Sequence, residues 1–353
     1  MCTLHKSVDA RLPRNKGNRI PAVTKRAFWV LSITALLAAC GGGGRSDGSG
    51  GGSGSDAGDA NPSPDPSARI AAAQRTAASN AYCTAVAPFY YELGDKSGAI
   101  VSGAIGSTYT ATTQMNIASA SKWLFGAYVA EVRAGVLTAD DTRATHMLSG
   151  YASMHGGCLP NATVESCFRM LNNDTYTAAK LDRFNYDSGH FQRCGVDNGM
   201  GGMTGAAVAS AYRTTLGITS SFNGPLLAGG AIMSAQDYAV FLRKILNRQL
   251  RIAGLLGDQK TCTQPGSCAT ADYSPISAEA WSYSVGHWVE DAPGIGDGAF
   301  SSAGAFGFYP WIDSTLTYYG ILAREDGSGS NQGYASAQCG RLIRKAYVTG
   351  AAQ

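Results

Sequence analysis

The chain has 353 residues, a formal net charge of +3 and 44% hydrophobic residues. This length and composition suffice for one large domain or two lobes around a buried core. Much of the basic excess lies before residue 27, and no basic stripe, aromatic-spaced basic patch or phosphate-binding loop follows it, so no nucleic-acid partner is expected.

Residues 1–39 have the pattern of an export signal. A basic start precedes an apolar stretch at residues 27–39, which is shorter than the roughly twenty residues of a membrane-spanning helix. Small residues then precede Cys40, and this order is typical of a secretory signal peptide. The cysteine resembles that of a bacterial lipoprotein box, which implies cleavage before Cys40, a lipid on its thiol and, because Gly41 follows, the outer membrane. The alternative is an ordinary signal peptide on a periplasmic or secreted protein.

Residues 40–67 are rich in Gly, Ser, Asp and Pro. Such a composition cannot bury enough apolar surface to offset the entropy that is lost when a chain becomes ordered. We therefore expect a flexible linker here, followed by a folded domain over residues 68–353.

The folded domain has strand signals near both ends and helical signals between them. Residues 68–82 are alanine-rich and predict a helix, and residues 86–105 predict a β-hairpin. The later predicted elements are helices at 206–216 and 235–246, strands at 281–290, 298–311 and 315–323, and a closing helix at 338–348. This order predicts an α/β lobe from residues 68–140 and 260–353, with a helical lobe from residues 141–259 inserted.

Nine cysteines are present, of which Cys2 lies in the signal and Cys40 at its end. Export to an oxidising compartment favours disulfides among the others. Cys158 with Cys167, and Cys262 with Cys268, are close enough in sequence to close loops, and a Cys83–Cys339 pair would tie the two ends of the domain and leave Cys194 unpaired. The sequence alone does not fix a pairing. Metal binding is the rival interpretation, but no C-x-x-C or H-x-x-x-H spacing supports it.

Ser119 and Lys122 stand three residues apart, just before an apolar run with helical character at residues 123–129. On a helix this spacing places both side chains on one face. A serine hydroxyl becomes a good nucleophile when a base removes its proton, and a poorly solvated lysine amine can be that base in its neutral form. The helix N-terminus would also favour a developing oxyanion. The alternative is an N-cap serine followed by an ordinary surface lysine.

Three sequence segments resemble motifs of a known family. Residues 117–122 match the first motif of the serine β-lactamases and penicillin-binding proteins. Residues 133–141 resemble the family's Gly-x-Leu-x-Leu-Asp-Asp segment, and residues 228–237 its Gly-Gly-x-x-Ser-x-x-Asp helix start. Over residues 85–348 the chain resembles the branch that contains class C β-lactamases, D,D-peptidases and β-lactamase-like esterases. This resemblance implies an α/β (α+β) fold of the β-lactamase/D,D-peptidase type, with an antiparallel sheet, flanking terminal helices and an inserted helical lobe.

The second motif of this family, Tyr-x-Asn, has its counterpart at residues 184–190. The resemblance gives Tyr186 the role of a phenol that accepts the serine proton and passes it to the leaving group. Ser188 stands in place of the asparagine and lacks the reach and the second donor of an amide, which puts the usual substrate contact in doubt. A half-buried core tyrosine is the alternative for Tyr186, and His190 is interpreted as structural.

The third motif, Lys-Thr-Gly or His-Thr-Gly on an inner strand, has its best counterpart at residues 300–307. The resemblance implies that Gly304 lets the substrate backbone lie close to the strand. It also implies that the N–H groups of Ala305 and Ser119 form an oxyanion hole.

This third segment departs from the family at two positions. Ser302 stands where the family carries a cation, and Ala303 where it carries threonine. Without the cation an anionic acyl donor loses charge-assisted hydrogen bonds worth about 1.5–3 kcal/mol each. The departure favours uncharged substrates, unless another cation such as Arg324 compensates.

These observations predict a serine hydrolase that forms an acyl-serine intermediate on neutral carboxylic esters or amides, either small molecules or oligomers. The alternatives are a D,D-carboxypeptidase or β-lactamase, and a binding lipoprotein without catalytic activity. No metal or organic cofactor is expected, and the only other partner is the membrane through Cys40. The insert at residues 150–185, with Tyr151, His155 and Phe168, is expected to roof the pocket.

Overall fold

The computed structural model describes residues 65–329 and 331–353. The predicted signal peptide, Cys40 and nearly all of the predicted linker lie outside these residues. The α-helices within the described ranges are α1 (Pro66–Ser79), α2 (Ala81–Thr84), α3 (Ser121–Val132), α4 (Ala139–Thr145), α5 (Val164–Arg169), α6 (Gly189–Gly195), α7 (Gly205–Leu216), α8 (Ala235–Leu246) and α9 (Gln332–Thr349). None of them combines the length and the apolar character that a bilayer-spanning helix requires.

The strands are mostly short. They are β1 (Phe89–Asp95), β2 (Ala99–Ile105), β3 (Met115–Asn116), β4 (Phe184–Asn185), β5 (Ser221–Phe222), β6 (Ala231–Met233), β7 (Thr261–Cys262), β8 (Ala271–Tyr273), β9 (Ser282–Tyr283), β10 (Trp288–Val289), β11 (Phe300–Ser301), β12 (Tyr309–Ile312) and β13 (Tyr318–Ala323). Strands β3, β6 and β5 form a small sheet, and β4 pairs with β8 in parallel.

Strands from both ends of the domain form one large sheet. Its strand order is β2-β1-β13-β12-β11-β10-β9-β7, and every neighbouring pair is antiparallel. In its register Tyr90 lies opposite Ala323 and Asp95 opposite Tyr318, so the N-terminal hairpin pairs with the last strand of the chain. The sheet confirms the predicted fold class.

Helices cover both faces of this sheet. Successive residues of a strand point to opposite sides, so Tyr318 and Tyr319 of β13 mark the two faces. On one side Tyr318 packs against Tyr347 of α9 with ring centroids 5.2 Å apart, and Arg69 of α1 donates to the Tyr347 carbonyl over 2.8 Å. On the other side the hydroxyl of Tyr319 accepts a hydrogen bond from Arg243 of α8 over 3.1 Å. The terminal helices α1 and α9 therefore share one face, and α8 covers the other.

Helix α3 lies in the core and carries the S-x-x-K segment with it. Residues 121–130 are all buried, as expected for a helix that is apolar on nearly every side. Trp123 packs edge-on against Phe241 of α8 and stacks on His287, with centroids 6.0 and 5.5 Å apart. A 3₁₀ turn at Ala118–Ala120 directly precedes the helix, so Ser119 lies where a loop enters the core.

Two predicted elements are interrupted in the structure. The predicted helix at 68–82 is broken at Asn80, whose side chain accepts the Tyr82 N–H over 2.9 Å and starts a second helix. The predicted strand at 298–311 is wrong in its middle, because the chain reverses direction at residues 305–307. The Gly304 N–H donates to the Phe308 carbonyl over 2.8 Å, and the N–H of Gly307, whose φ is +103°, donates to the Gly304 carbonyl over 2.9 Å, which closes a hairpin between β11 and β12.

All three predicted disulfides are confirmed: Cys83–Cys339, Cys158–Cys167 and Cys262–Cys268. The first ties α2 to α9, and it therefore joins the two ends of the domain. Cys194 is a buried free thiol, as predicted, and burial raises its pKa well above the ordinary value.

Candidate active site

Ser119 is presented by a strained turn. The preceding residue, Ala118, has φ +45°, a left-handed conformation that costs an alanine free energy and is often found at functional sites. Its N–H donates to the Asn116 side chain over 2.8 Å. On the other side of the turn the Ser302 hydroxyl donates to the Ser119 carbonyl over 3.1 Å. The turn is thus held from two directions, while the Ser119 hydroxyl lines an open cavity.

Lys122 lies directly behind this hydroxyl. Its Nζ is 3.0 Å from Ser119 Oγ and donates to the Ala228 carbonyl over 2.9 Å. The side chain is buried, and burial lowers the pKa of Lys122 to about 7, against the opposing effect of the Asp187 charge. A neutral amine at this position keeps its bond to Ala228 and offers its lone pair to the serine proton.

Tyr186 follows β4 and lies over the same pair. Lys122 Nζ is 4.6 Å from the centroid of its ring, and the ring stacks on Trp288 with centroids 5.2 Å apart and planes at 19°. Burial raises the pKa of the phenol well above its ordinary value, and hydrogen bonding to Ser119 only partly offsets this. The phenol therefore stays protonated, and of the two groups Lys122 is the one able to accept a proton near neutral pH.

The residues that follow Tyr186 have structural contacts. Ser188 precedes α6 and is not among the described residues that line the cavity. Asp187 accepts the N–H of Gly189 over 2.7 Å and that of Met154, in the insert, over 3.1 Å. His190 is buried with Nε2 3.0 Å from the Asn185 carbonyl, and burial lowers the pKa of His190 to about 3. It is therefore a neutral residue that supports the strand end next to Tyr186.

The third segment packs against the turn that carries Ser119. A Cβ placed on Gly304 would lie 2.2 Å from the Ile117 carbonyl oxygen, so the close approach that requires a glycine here is to the protein's own backbone. Ser302 is buried and faces the Ser119 carbonyl, outside the cavity lining. Ala305 does line the cavity, and within the described residues neither its N–H nor that of Ser119 has a hydrogen-bond acceptor. Both N–H groups are free to hold an oxyanion.

The cavity beside Ser119 has a volume of about 80 Å³ and walls that are mainly apolar or aromatic. Its described lining residues are Ser119, Tyr186, Pro275, Ile276, Trp288, Ala303, Ala305, Asn331, Gly333 and Tyr334, with no lysine, arginine or histidine among them. The sequence offered no signal for the pair at 275–276 or for the first turn of α9. Both segments are far from Ser119 in sequence, and tertiary folding brings them to the cavity.

Two sequence expectations about the surroundings of the pocket fail. None of the three insert residues Tyr151, His155 and Phe168 lines the cavity; Tyr151 instead packs against Phe168 with centroids 5.6 Å apart. Arg324 does not supply a cation either. Its guanidinium is buried and hydrogen-bonded to Ser336, Asp326 and Gln332.

The fold is shared with solved structures at low sequence identity. The chain resembles the D-amino acid amidase of Ochrobactrum anthropi SV3 with TM-score 0.57 and 12% identity, over 78% of this chain and 96% of that one. It resembles a penicillin-binding protein homologue of Pyrococcus abyssi with TM-score 0.56 and 14% identity, over 75% of each chain. It also resembles the hydrolase EstCE1, which has promiscuous acyltransferase activity, with TM-score 0.55 and 12% identity, over 80% and 99%.

These similarities define the fold as that of the β-lactamase/D,D-peptidase proteins. No protein-family model matches the sequence, and no curated protein matches it.

Proposed function

We propose that this protein is a serine hydrolase with Ser119 as its nucleophile. One observation carries the proposal: a buried lysine amine with a pKa of about 7 lies 3.0 Å from a serine hydroxyl in an open cavity. A surface lysine after an N-cap serine, the alternative interpretation of the sequence, would be solvated and charged. A buried amine costs stability, and such a cost is typical of a catalytic group.

The geometry supports a mechanism with two half-reactions. Neutral Lys122 takes the Oγ proton while Ser119 Oγ bonds to the carbonyl carbon of the substrate. The resulting oxyanion accepts hydrogen bonds from the N–H groups of Ser119 and Ala305. When the carbon–leaving-group bond breaks, the Tyr186 phenol donates its proton to the leaving group and regains one from the Lys122 ammonium. Water then attacks the acyl-serine, gives its proton to Lys122, and the same proton returns to Ser119 Oγ as the acid is released.

Uncharged esters or amides are the substrates that fit this site best. No cation lines the described part of the cavity, Ser302 bonds the backbone instead of facing the cavity, and Arg324 is already engaged. An anionic acyl donor would therefore exchange its hydration for apolar walls without a charged partner. Two of the similar structures are described as an amidase and a hydrolase, in keeping with an esterase or amidase that could also accept oligomers.

The test compares p-nitrophenyl butyrate and nitrocefin with the wild type and Ser119→Ala. We expect serine-dependent release of nitrophenol and no opening of nitrocefin. Serine-dependent opening of nitrocefin would favour the D,D-peptidase or β-lactamase alternative, and ester hydrolysis that persists in Ser119→Ala would overturn the proposed nucleophile. Ser79→Ala, an exposed position on α1, is the matched control and should retain full activity.

We further propose that the protein is exported and anchored to the cell envelope by a lipid on Cys40. The support is the sequence pattern before Cys40, together with three disulfides that suit an oxidising compartment. Incorporation of labelled fatty acid into the full-length protein in cells, abolished by Cys40→Ala, is the expected result. Equal labelling of both proteins would refute lipidation at this residue.

A further inference from the structure

One wall of the cavity beside Ser119 is a row of aromatic rings. Tyr186 stacks on Trp288, Trp288 packs edge-on against Trp281 with centroids 6.0 Å apart, and Trp281 contacts Tyr334 with centroids 6.1 Å apart. Trp281 is buried behind the wall, whereas the other three rings line the cavity. The wall therefore runs from the phenol next to the nucleophile to the first turn of α9.

Tyr334 is held rigidly at the end of this wall. Its hydroxyl donates to Glu279 over 2.8 Å. The buried Glu279 carboxylate also accepts the Trp281 indole N–H over 2.7 Å and pairs with Arg341 at 2.9 Å. Because the Tyr334 hydroxyl is already bonded, this residue offers the substrate the face or edge of a ring and no free donor.

A second part of the cavity lining, at residues 275–276, is fixed as well. The amide nitrogen of Gln264 donates to the carbonyls of Ile276 and Glu279 over 2.7 and 2.6 Å. Gln264 lies in the loop that the Cys262–Cys268 disulfide closes. The cavity is therefore bounded by side chains that other parts of the fold hold in place, and little widening is expected when a substrate enters.

The size of this space limits what can fill it. At about 80 Å³ it is small beside the roughly 300–1,000 Å³ of pockets that enclose a drug-sized ligand. A butyryl group is therefore expected to lie against the lining residues, whereas an octanoyl group is expected to extend out of the cavity. The apolar lining further favours an acyl group without polar substituents.

We propose, on the basis of the proposed hydrolase function, that the enzyme selects short, uncharged acyl groups and that Tyr334 sets the limit on their length. The substrate class is then esters or amides of short aliphatic carboxylic acids. Tyr334 is a specificity-determining residue in this account, through its ring.

The experiment measures the ratio of kcat/KM for p-nitrophenyl butyrate to that for p-nitrophenyl octanoate. In the wild type we expect a preference for butyrate of at least about tenfold, since each misfit methylene in a rigid pocket is worth about tenfold or more. Tyr334→Ala should remove most of this preference by raising kcat/KM for octanoate. Tyr334→Phe keeps the ring and should keep the preference.

A matched control is Tyr176→Ala, a half-exposed tyrosine of the insert that lies outside the cavity, and it should leave the ratio unchanged. If Tyr334→Ala does not fold, Tyr334→Leu retains apolar packing and should shift the ratio in the same direction. Equal rates on the two esters in the wild type, or an unchanged ratio in the folded Tyr334 variants, would overturn the inference while Ser119-dependent hydrolysis still supported the proposed function. Hydrolysis in Ser119→Ala would instead overturn the proposed function itself.

Discussion

The pH dependence of ester hydrolysis should report the ionisation of Lys122, and Asp187→Asn should shift it. In the proposed mechanism Lys122 accepts the serine proton only as the neutral amine, so kcat/KM should fall as the pH decreases through about 7, the pKa that burial gives this lysine. The negative charge of Asp187 favours the ammonium form and raises this pKa. Its removal should therefore move the acidic limb of the profile to lower pH.

The size of the burial effect decides whether Lys122 can be the base at all. At pH 7 about half of the amines with a pKa of about 7 are neutral, whereas only about one in three thousand would be neutral at the ordinary lysine value. Burial thus increases the population of the catalytic form on the order of a thousandfold at this pH. Two buried histidines, His190 and His287, cannot account for an acidic limb near pH 7, because burial lowers the pKa of each to about 3.

The assay is kcat/KM for p-nitrophenyl butyrate between pH 5 and 10, read where nitrophenol and nitrophenolate absorb equally. Asp187→Asn retains a side-chain oxygen that can accept the Gly189 N–H, so the loop should persist. Asp182→Asn, which removes an exposed carboxylate paired with Arg143, controls for the change in net charge and should leave the profile unmoved. An acidic limb near pH 10, or one that Asp187→Asn does not move downward, would refute the reasoning.

Three further predictions concern the groups around the proposed nucleophile. Ser302→Ala removes the hydrogen bond to the Ser119 carbonyl and should lower kcat about tenfold, from about 1–1.5 kcal/mol of lost positioning, with KM for p-nitrophenyl butyrate nearly unchanged. Gly304→Ala forces a Cβ to 2.2 Å from the Ile117 carbonyl oxygen and should lower the free energy of unfolding in urea by about 3 kcal/mol or more. Lys122→Met should abolish hydrolysis yet raise the free energy of unfolding at pH 7 by about 2 kcal/mol. Keeping this amine deprotonated costs the folded protein about 4 kcal/mol, and the hydrogen bonds that the variant loses offset about 2 kcal/mol of the gain. That gain should be largest below pH 7, fall to zero near pH 9, where the cost of deprotonation has dropped to about 2 kcal/mol, and become a loss as the pH approaches 10.5, where the unfolded lysine also loses its proton.

The local features of the site could be predicted from the sequence because they depend on neighbours along the chain. Ser119 and Lys122 are three residues apart, and a helical turn brings them together whatever the rest of the fold does. The hairpin at 86–105 and the helices α7 and α8 likewise follow from short-range periodicity and, for α8, from the cap at Ser234. Two of the disulfides followed from short spacing together with an expected oxidising compartment, and Cys83–Cys339 from the expectation that the two ends of the domain meet.

The rest depends on contacts between distant segments. Tyr334 reaches the cavity because α9 begins at Gln332, six residues before its predicted start, where glycine and serine weaken the helical pattern. The function of Gly304 was expected to concern the substrate, but its partner is Ile117, almost two hundred residues earlier. Burial of Lys122 also comes from packing of α3 on all sides, which the two residues alone do not indicate.

The most direct test of the central claim is covalent labelling of the wild type by a fluorophosphonate, followed by intact mass measurement and peptide mapping. We predict one adduct per chain, located on Ser119, no adduct in Ser119→Ala, and much slower labelling in Lys122→Met. An adduct on another residue, or no adduct on a folded wild-type protein that still hydrolyses esters, would contradict the account.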